Sequence, residues 1–350
     1  MRLAARIALA AGLAVMIVLI VREGGRSIVT LLSGAGGILL LLVPLHALPI
    51  GLDVLGWRTL IGRLAPPPGF GVLFWIAAVR EACNRLLPVA NIGGEIVGIR
   101  LLAARGGVEG PAAAASVVIE VLLTLVSQLL FVLLGVALLL RATRGPGPEP
   151  LRGIELGVGV AVVVIACLFL LLRYGSIFER LERLAQRMIG LSRGTLPEGW
   201  LPVPAPRRTS PGTPASSPWR ELDASVRELY RARTGLAATV GWQLAGLLSG
   251  SLEVWLALRW LGAPIDLEAA IALESLTQAL RQFIFLVPAG LGVQELGLVG
   301  FGSLLGVAPD VAITLSLVKR MREILFGVPA LASWQWAAGW RGLPPRTYPK

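Results

Sequence analysis

Runs of apolar residues longer than a soluble fold needs recur along this chain. No Asp, Glu, Lys or Arg occurs in residues 27–52, 121–140, 156–172, 235–252 or 324–340. A bilayer core of about 30 Å takes roughly 20 residues of helix to cross. Lipid offers backbone N–H and C=O groups no partner, so such runs must satisfy one another as helices. Only 15% of the residues are charged, against about 25% in an ordinary soluble domain. The sequence is that of an all-α polytopic membrane protein with about six to eight spans.

The remaining composition excludes several classes of chemistry. The first run, 7–21 behind Arg2 and Arg6, has no clean small-residue cleavage site after it, so it reads as a retained first helix rather than a signal peptide. Cys83 and Cys167 lie far apart in apolar surroundings, which suggests neither a disulfide framework nor a metal site. His46 is the only histidine; in "VPLHALP" it reads as a hydrogen-bonding group at a proline-broken helix. The net charge of +11 is spread over loops between the apolar runs. Anionic lipid headgroups and topological control account for it without nucleic acid.

Spans are predicted near 3–21, 28–52 (continuing towards "DVLGWRTLIGRLAPPPG"), 112–140, 153–173 and 235–261, with a break at the three prolines 66–68. Residues 174–234 form the one long hydrophilic segment. It holds an arginine-rich amphipathic stretch, a Pro/Ser linker at 197–218 and a basic amphipathic helix, "WRELDASVRELYRAR". From 173 to 233 there are eleven arginines against six acids, which puts this segment in the cytoplasm. The chain therefore divides into an N-terminal membrane half (1–173), a cytoplasmic amphipathic and proline-rich linker (174–234) and a C-terminal membrane half (235–350).

Two places break the apolar pattern, "REACNRLLPVANIGGE" and "LRQFIFLVPAGLGVQELG", and they match at an offset of 200 residues. Pro88 corresponds to Pro288, Glu95 to Glu295, Gly106 to Gly306, Ser116 to Ser316 and Val118 to Val318. Upstream, Arg80 and Arg281 precede their prolines by eight and seven residues. The repeat motifs occupy 80–118 and 281–318. Broken helices at corresponding points of two halves point to a transporter-type binding site. Here the breaks are expected at Pro88, Gly93 and Gly94, and at Pro288, Gly290 and Gly292, each forming a short hairpin or unwound helix partway into the membrane.

An ionisable side chain near a spanning-helix centre costs about 2.5–3.5 kcal/mol on insertion scales, so it implies a partner or a polar cavity. Arg80, Glu81, Asn84 and Arg85 fall within six residues, with Glu81 and Arg85 at the i, i+4 spacing of an ion pair. Lys319, Arg320, Arg322 and Glu323 cluster in the second half, with Lys319 and Glu323 again i, i+4. Glu120, Glu253 and Glu274 stand singly in apolar spans. These residues, with Arg281, Glu95 and Glu295, predict a polar cavity, read from its two charge clusters as holding more cations than anions. Such a cavity suits phosphate or another anionic lipid headgroup, whose oxygens match arginine forks.

The motifs "REACNRLLPVANIGGEIVGIRLL", "FLVPAGLGVQELGLVGFGSLLGV" and "LSLVKRMREILFGVPAL" resemble the flippase-like membrane family that includes the transmembrane region of lysylphosphatidylglycerol synthases. Within it the resemblance is closest to the hopanoid-biosynthesis-associated members, HpnL. It covers essentially the whole chain. It implies a bacterial inner-membrane protein concerned with lipids, folded as two related bundles with re-entrant elements around a central cavity. The positions it carries over are Arg80, Asn84, Pro88, Gly94 and Glu95, then Pro288, Gly292, Glu295, Lys319, Arg320 and Glu323. The soluble aminoacyl-transfer domain of the full-length synthases is missing after Trp340, which removes synthase activity from what the resemblance implies.

The expected function is lipid translocation, with membrane lipids, hopanoids or anionic headgroups as cargo, and not an enzyme activity. The alternatives are a scaffold for hopanoid-biosynthesis enzymes and a lipid-modifying enzyme using Glu95 and Glu295 as acid and base. Against the enzyme, the sequence has no Asp-rich prenyl-diphosphate motif, Ser/His arrangement or metal cluster, and no cofactor is expected. "GLGVQELG" lacks the strand–helix setting of a phosphate loop.

Overall fold

A computed structural model describes residues 25–87, 93–143, 218–283 and 291–339. The spans predicted at 3–21 and 153–173, the linker through residue 217, Cys167, and the helix breaks at Pro88, Pro288 and Gly290 lie outside the described residues. Every element within them is helical.

The first apolar stretch is segmented. Helix α1 (Gly25–Ala35) passes through a 3-10 turn (Gly36–Leu41) into α2 (Leu42–Leu45) and, beyond His46, α3 (Ala47–Ile61). Pro44 and Pro49 each lack an N–H and crowd the preceding turn, so a continuous α-helix is not available here. The stretch Ser27–Ile61 is long and apolar enough to cross a membrane, running past 52 into "DVLGWRTLI" as expected. Asp53 and Arg58 interrupt the apolar run but not the helix.

The three prolines at 66–68 end this region, and α4 (Phe70–Leu86) follows. Next come α5 (Gly93–Arg105), α6 (Gly110–Thr143), α7 (Pro218–Arg231), α8 (Arg233–Trp260), α9 (Leu267–Phe283), α10 (Val293–Leu304) and α11 (Pro309–Gly339). Helix α6, with 34 residues, is the second stretch long and apolar enough to cross a membrane. Helices α8 and α11, with 28 and 31 residues, also exceed bilayer length. By contrast α5 and α10 have 13 and 12 residues, about 20 Å at the helical rise, too short to cross. Helix α7 buries Leu222, Val226 and Leu229 in one core with residues of α3 to α6. The end of the hydrophilic segment is therefore packed against the N-terminal half.

Many charged side chains are buried alongside the apolar core, while many large apolar ones face outward. Arg80, Glu120, Glu253, Glu274, Glu295, Lys319, Arg322 and Glu323 are buried, while Leu130, Leu133, Leu134, Leu248, Leu252, Ile324, Val328 and Trp336 are exposed. Water outside would make this arrangement costly twice over; lipid outside makes it the expected one. This is a membrane protein.

The described helices include two runs of similar layout. Helices α4, α5 and α6 form a long–short–long unit, and α9, α10 and α11 form another. The short helices begin at Gly93 and Val293. The turns after them contain the positive-φ glycines Gly107 and Gly306, one residue out of the register that aligns Gly106 with Gly306. The two units interlock. Helix α4 packs on α11, and α9 packs on α6, so the leading helix of each unit lies against the trailing helix of the other. Helices α3 and α8, which lead into the two units, pack extensively on each other.

Candidate functional site

Both units contribute to a cavity of about 440 Å³ lined by α3, α4, α5, α6, α8, α9 and α11, within the range of small-ligand sites. Thr124 and Gln128, near the middle of α6, line it.

Arg80 anchors the first-unit side. Its guanidinium pairs with Glu95 of α5 and reaches Glu120 of α6, Nη1 to Oε2, at 2.8 Å. It lies over the Trp57 ring, 4.7 Å from the centroid, and Trp57 Nε1 donates to Ser116 Oγ at 3.1 Å. Asn84, one turn along α4, donates to Glu95 Oε1 at 3.1 Å and accepts the Gly94 N–H at 2.9 Å. This explains two glycines. A Cβ at Gly94 would strike the Arg80 carbonyl and the Asn84 amide, and one at Gly98 would strike the Arg80 side chain. Gly93 is the first residue of α5.

The second unit uses the same acid position differently. Glu295 accepts from Arg320 Nε at 2.8 Å, Arg320 Nη2 at 3.2 Å and Ser316 Oγ at 2.8 Å. Gly292, at φ +77°, caps α10 in a conformation that side chains rarely adopt. At the 200-residue offset Glu120 becomes Arg320 and Glu81 becomes Arg281. The backbone plan is repeated while two charges are reversed.

A third set of pairs crosses between the halves. His46 Nδ1 is 3.0 Å from Glu253 Oε1, and its Nε2 is 3.1 and 3.2 Å from the two oxygens of Glu81. Both nitrogens face carboxylate oxygens, so both bonds form together only with a doubly protonated ring or a protonated carboxyl. Glu253 also pairs with Arg322. Glu81 reaches Arg85 at 3.7 Å, the expected i, i+4 pair. Arg85 and Arg281 converge on Glu323 at 3.8 and 3.5 Å. Lys319 pairs with Glu274, which also accepts from Gln278 at 2.8 Å. The expected Lys319–Glu323 pair does not form. Helix α11 is surrounded by other helices, and both side chains find partners across those interfaces.

The predicted excess of cations is also overturned. Seven carboxylates (Glu81, Glu95, Glu120, Glu253, Glu274, Glu295, Glu323) face six cationic side chains (Arg80, Arg85, Arg281, Lys319, Arg320, Arg322) and His46. The excess belongs to the two charge clusters at 80–85 and 319–323, and the acids that come in singly from α6, α8 and α9, with Glu95 and Glu295, cancel it. Asp53 stands outside this matched set.

Of the predicted site residues, Arg80, Glu81, Asn84, Arg85, Glu95, Arg281 and Lys319 line the cavity; Glu295, Arg320 and Glu323 do not line it and are held in ion pairs. Glu120, Glu253 and Glu274 line it as expected. Sequence reasoning missed Asp53, Gln128 and Gln278. Asp53 carried the signal that flagged the three glutamates, a single acid in an apolar helix. The glutamines carried none beyond their polarity; Gln128 Nε2 donates to Gln278 Oε1 at 3.1 Å.

The family model of the lysylphosphatidylglycerol synthase transmembrane region matches residues 3–330. The chain belongs to this family. No curated protein and no solved structure matches it. The family match covers the first unit and the second as far as residue 330, so every residue lining the cavity sits inside the matched region. A membrane protein of lipid metabolism or transport follows from the membership.

Proposed function

We propose that the chain is a lipid translocator of the bacterial plasma membrane, and not an enzyme, whose cavity receives a polar headgroup while the apolar part of the lipid stays outside. The observation that supports this reading most is the cavity itself: about 440 Å³, lined by charges from both units and surrounded by apolar outer faces. A headgroup there exchanges hydration for hydrogen bonds to fixed side chains. The near-balance of charge favours a headgroup that swaps partners with existing pairs over one drawn in by bare positive charge. An anionic headgroup enters by taking an arginine fork from its carboxylate, and Arg80 and Arg322 each keep an Nε without a hydrogen-bond partner. Hopanoids or their precursors are the cargo suggested by the resemblance, and hopanoid-biosynthesis enzymes the suggested partners.

The test is reconstitution. Purified protein in proteoliposomes should accelerate transfer of a fluorescent headgroup-bearing lipid between leaflets, read by chemical quenching of the outer leaflet. Arg80→Ala and Glu295→Gln should each lower that rate by about tenfold or more, the loss of one charge-assisted contact. Transfer at the wild-type rate in both variants sinks the reading.

A further inference from the structure

Asp53 is the charged residue of the cavity wall that makes no hydrogen bond and no ion pair among the described residues. Its side chain is exposed where α3 meets the cavity, between buried Val54 on one side and the cavity-lining Ile50 and Pro49 on the other. The α8 backbone comes close behind it. A Cβ on Gly246 would lie 3.1 Å from Asp53 Oδ1, whereas one on Gly250, a turn further, would meet nothing within 4 Å. The carboxylate thus faces open cavity space kept clear by two glycines.

The charges around it come from every helix packed on α3. Helix α4 supplies Arg80 and Glu81, α6 supplies Glu120, α8 supplies Glu253, and His46 lies just ahead of α3. Arg80 is engaged by Glu95 and Glu120, and His46 by Glu81 and Glu253. Asp53 is therefore left with like charges and no cation of its own. A bare carboxylate at membrane depth is tolerable while water fills the cavity, but not when the cavity closes around it. A metal cation would need several oxygen ligands at once, and the neighbouring carboxylates are already held by bases. A proton needs only one oxygen.

We propose that Asp53 is a proton-binding site coupled to the cavity's opening and closing. Water on one side of the membrane gives up a proton, an O–H bond forms at the Asp53 carboxylate, and the cavity closes around the neutral group. Opening to the other side rehydrates the group and releases the proton there. This rests on the translocation reading for its purpose, although the proton site can be tested without it.

Two readouts separate the claims. Infrared difference spectra of the purified protein between acidic and alkaline buffer should show a protonated-carboxyl C=O band. That band should be absent in Asp53→Asn and restored, displaced, in Asp53→Glu, with both variants matching the wild type in helical circular dichroism. In proteoliposomes, a pH gradient should accelerate transfer of fluorescent phosphatidylglycerol by the wild type and lose its effect in Asp53→Asn. A band unchanged in Asp53→Asn overturns the proton site, as does a band abolished by sodium at fixed pH. A normal band with gradient-insensitive transfer overturns the coupling. No transfer by any form, with the band still dependent on Asp53, upholds the proton site and removes the translocation reading instead.

Discussion

His46 and Arg322 meet on Glu253, which stands alone in the apolar sequence of α8. Removing one member of a buried pair leaves the other charged, desolvated and uncompensated, at a cost of about 3–5 kcal/mol. Arg322→Gln and Glu253→Gln should therefore each lower the thermal transition in detergent substantially. The double variant should be less damaged than the sum of the two, and a double-mutant cycle on the transition temperatures measures that coupling. Purely additive losses would mean the pair contributes nothing as a pair. The same argument separates Arg80 from an ordinary surface arginine: it serves Glu95 and Glu120 and covers Trp57, so lysine, a point charge without a fork, should not replace it.

The short helix α5 depends on close approach as much as on its charges. Gly94→Ala places a methyl group against the Arg80 carbonyl and the Asn84 amide, and backbone cannot yield as a side-chain tip can. A loss of about 1–3 kcal/mol is expected from such overpacking, seen as a lower thermal transition and faster proteolysis. Gly241→Ala, which would meet nothing within 4 Å, is the matched control and should leave both unchanged. An equal loss in the two variants would refute the close-packing account. At this scale the sequence was unevenly legible. The offset of 200 located both short helices and both acids, because Glu95 and Glu295 are tied to the backbone plan that repeats. It could not show that Arg80 supplies one acid from α4 while Arg320 supplies the other from α11, since partner choice depends on which helices touch. Asp53 was legible by the rule that flagged the single glutamates, one acid in a helix expected to run past residue 52, and went unread.

Across the whole molecule the two units exchange their leading helices, α4 onto α11 and α9 onto α6. Ion pairs follow the exchange, with Arg85 of the first unit held by Glu323 of the second. Most of these pairs are buried, so salt that screens surface charges should hardly change stability. A thermal transition that falls steeply with ionic strength would argue for a wetter interior. The interlock also sets an order of events during synthesis. The ribosome delivers the first unit before the second exists, so Arg85 and the α4 face that meets α11 wait in the membrane without their partners. A chain stopped after the first unit should be a substrate for quality-control proteolysis, while the two halves made as separate polypeptides in one cell should rescue each other.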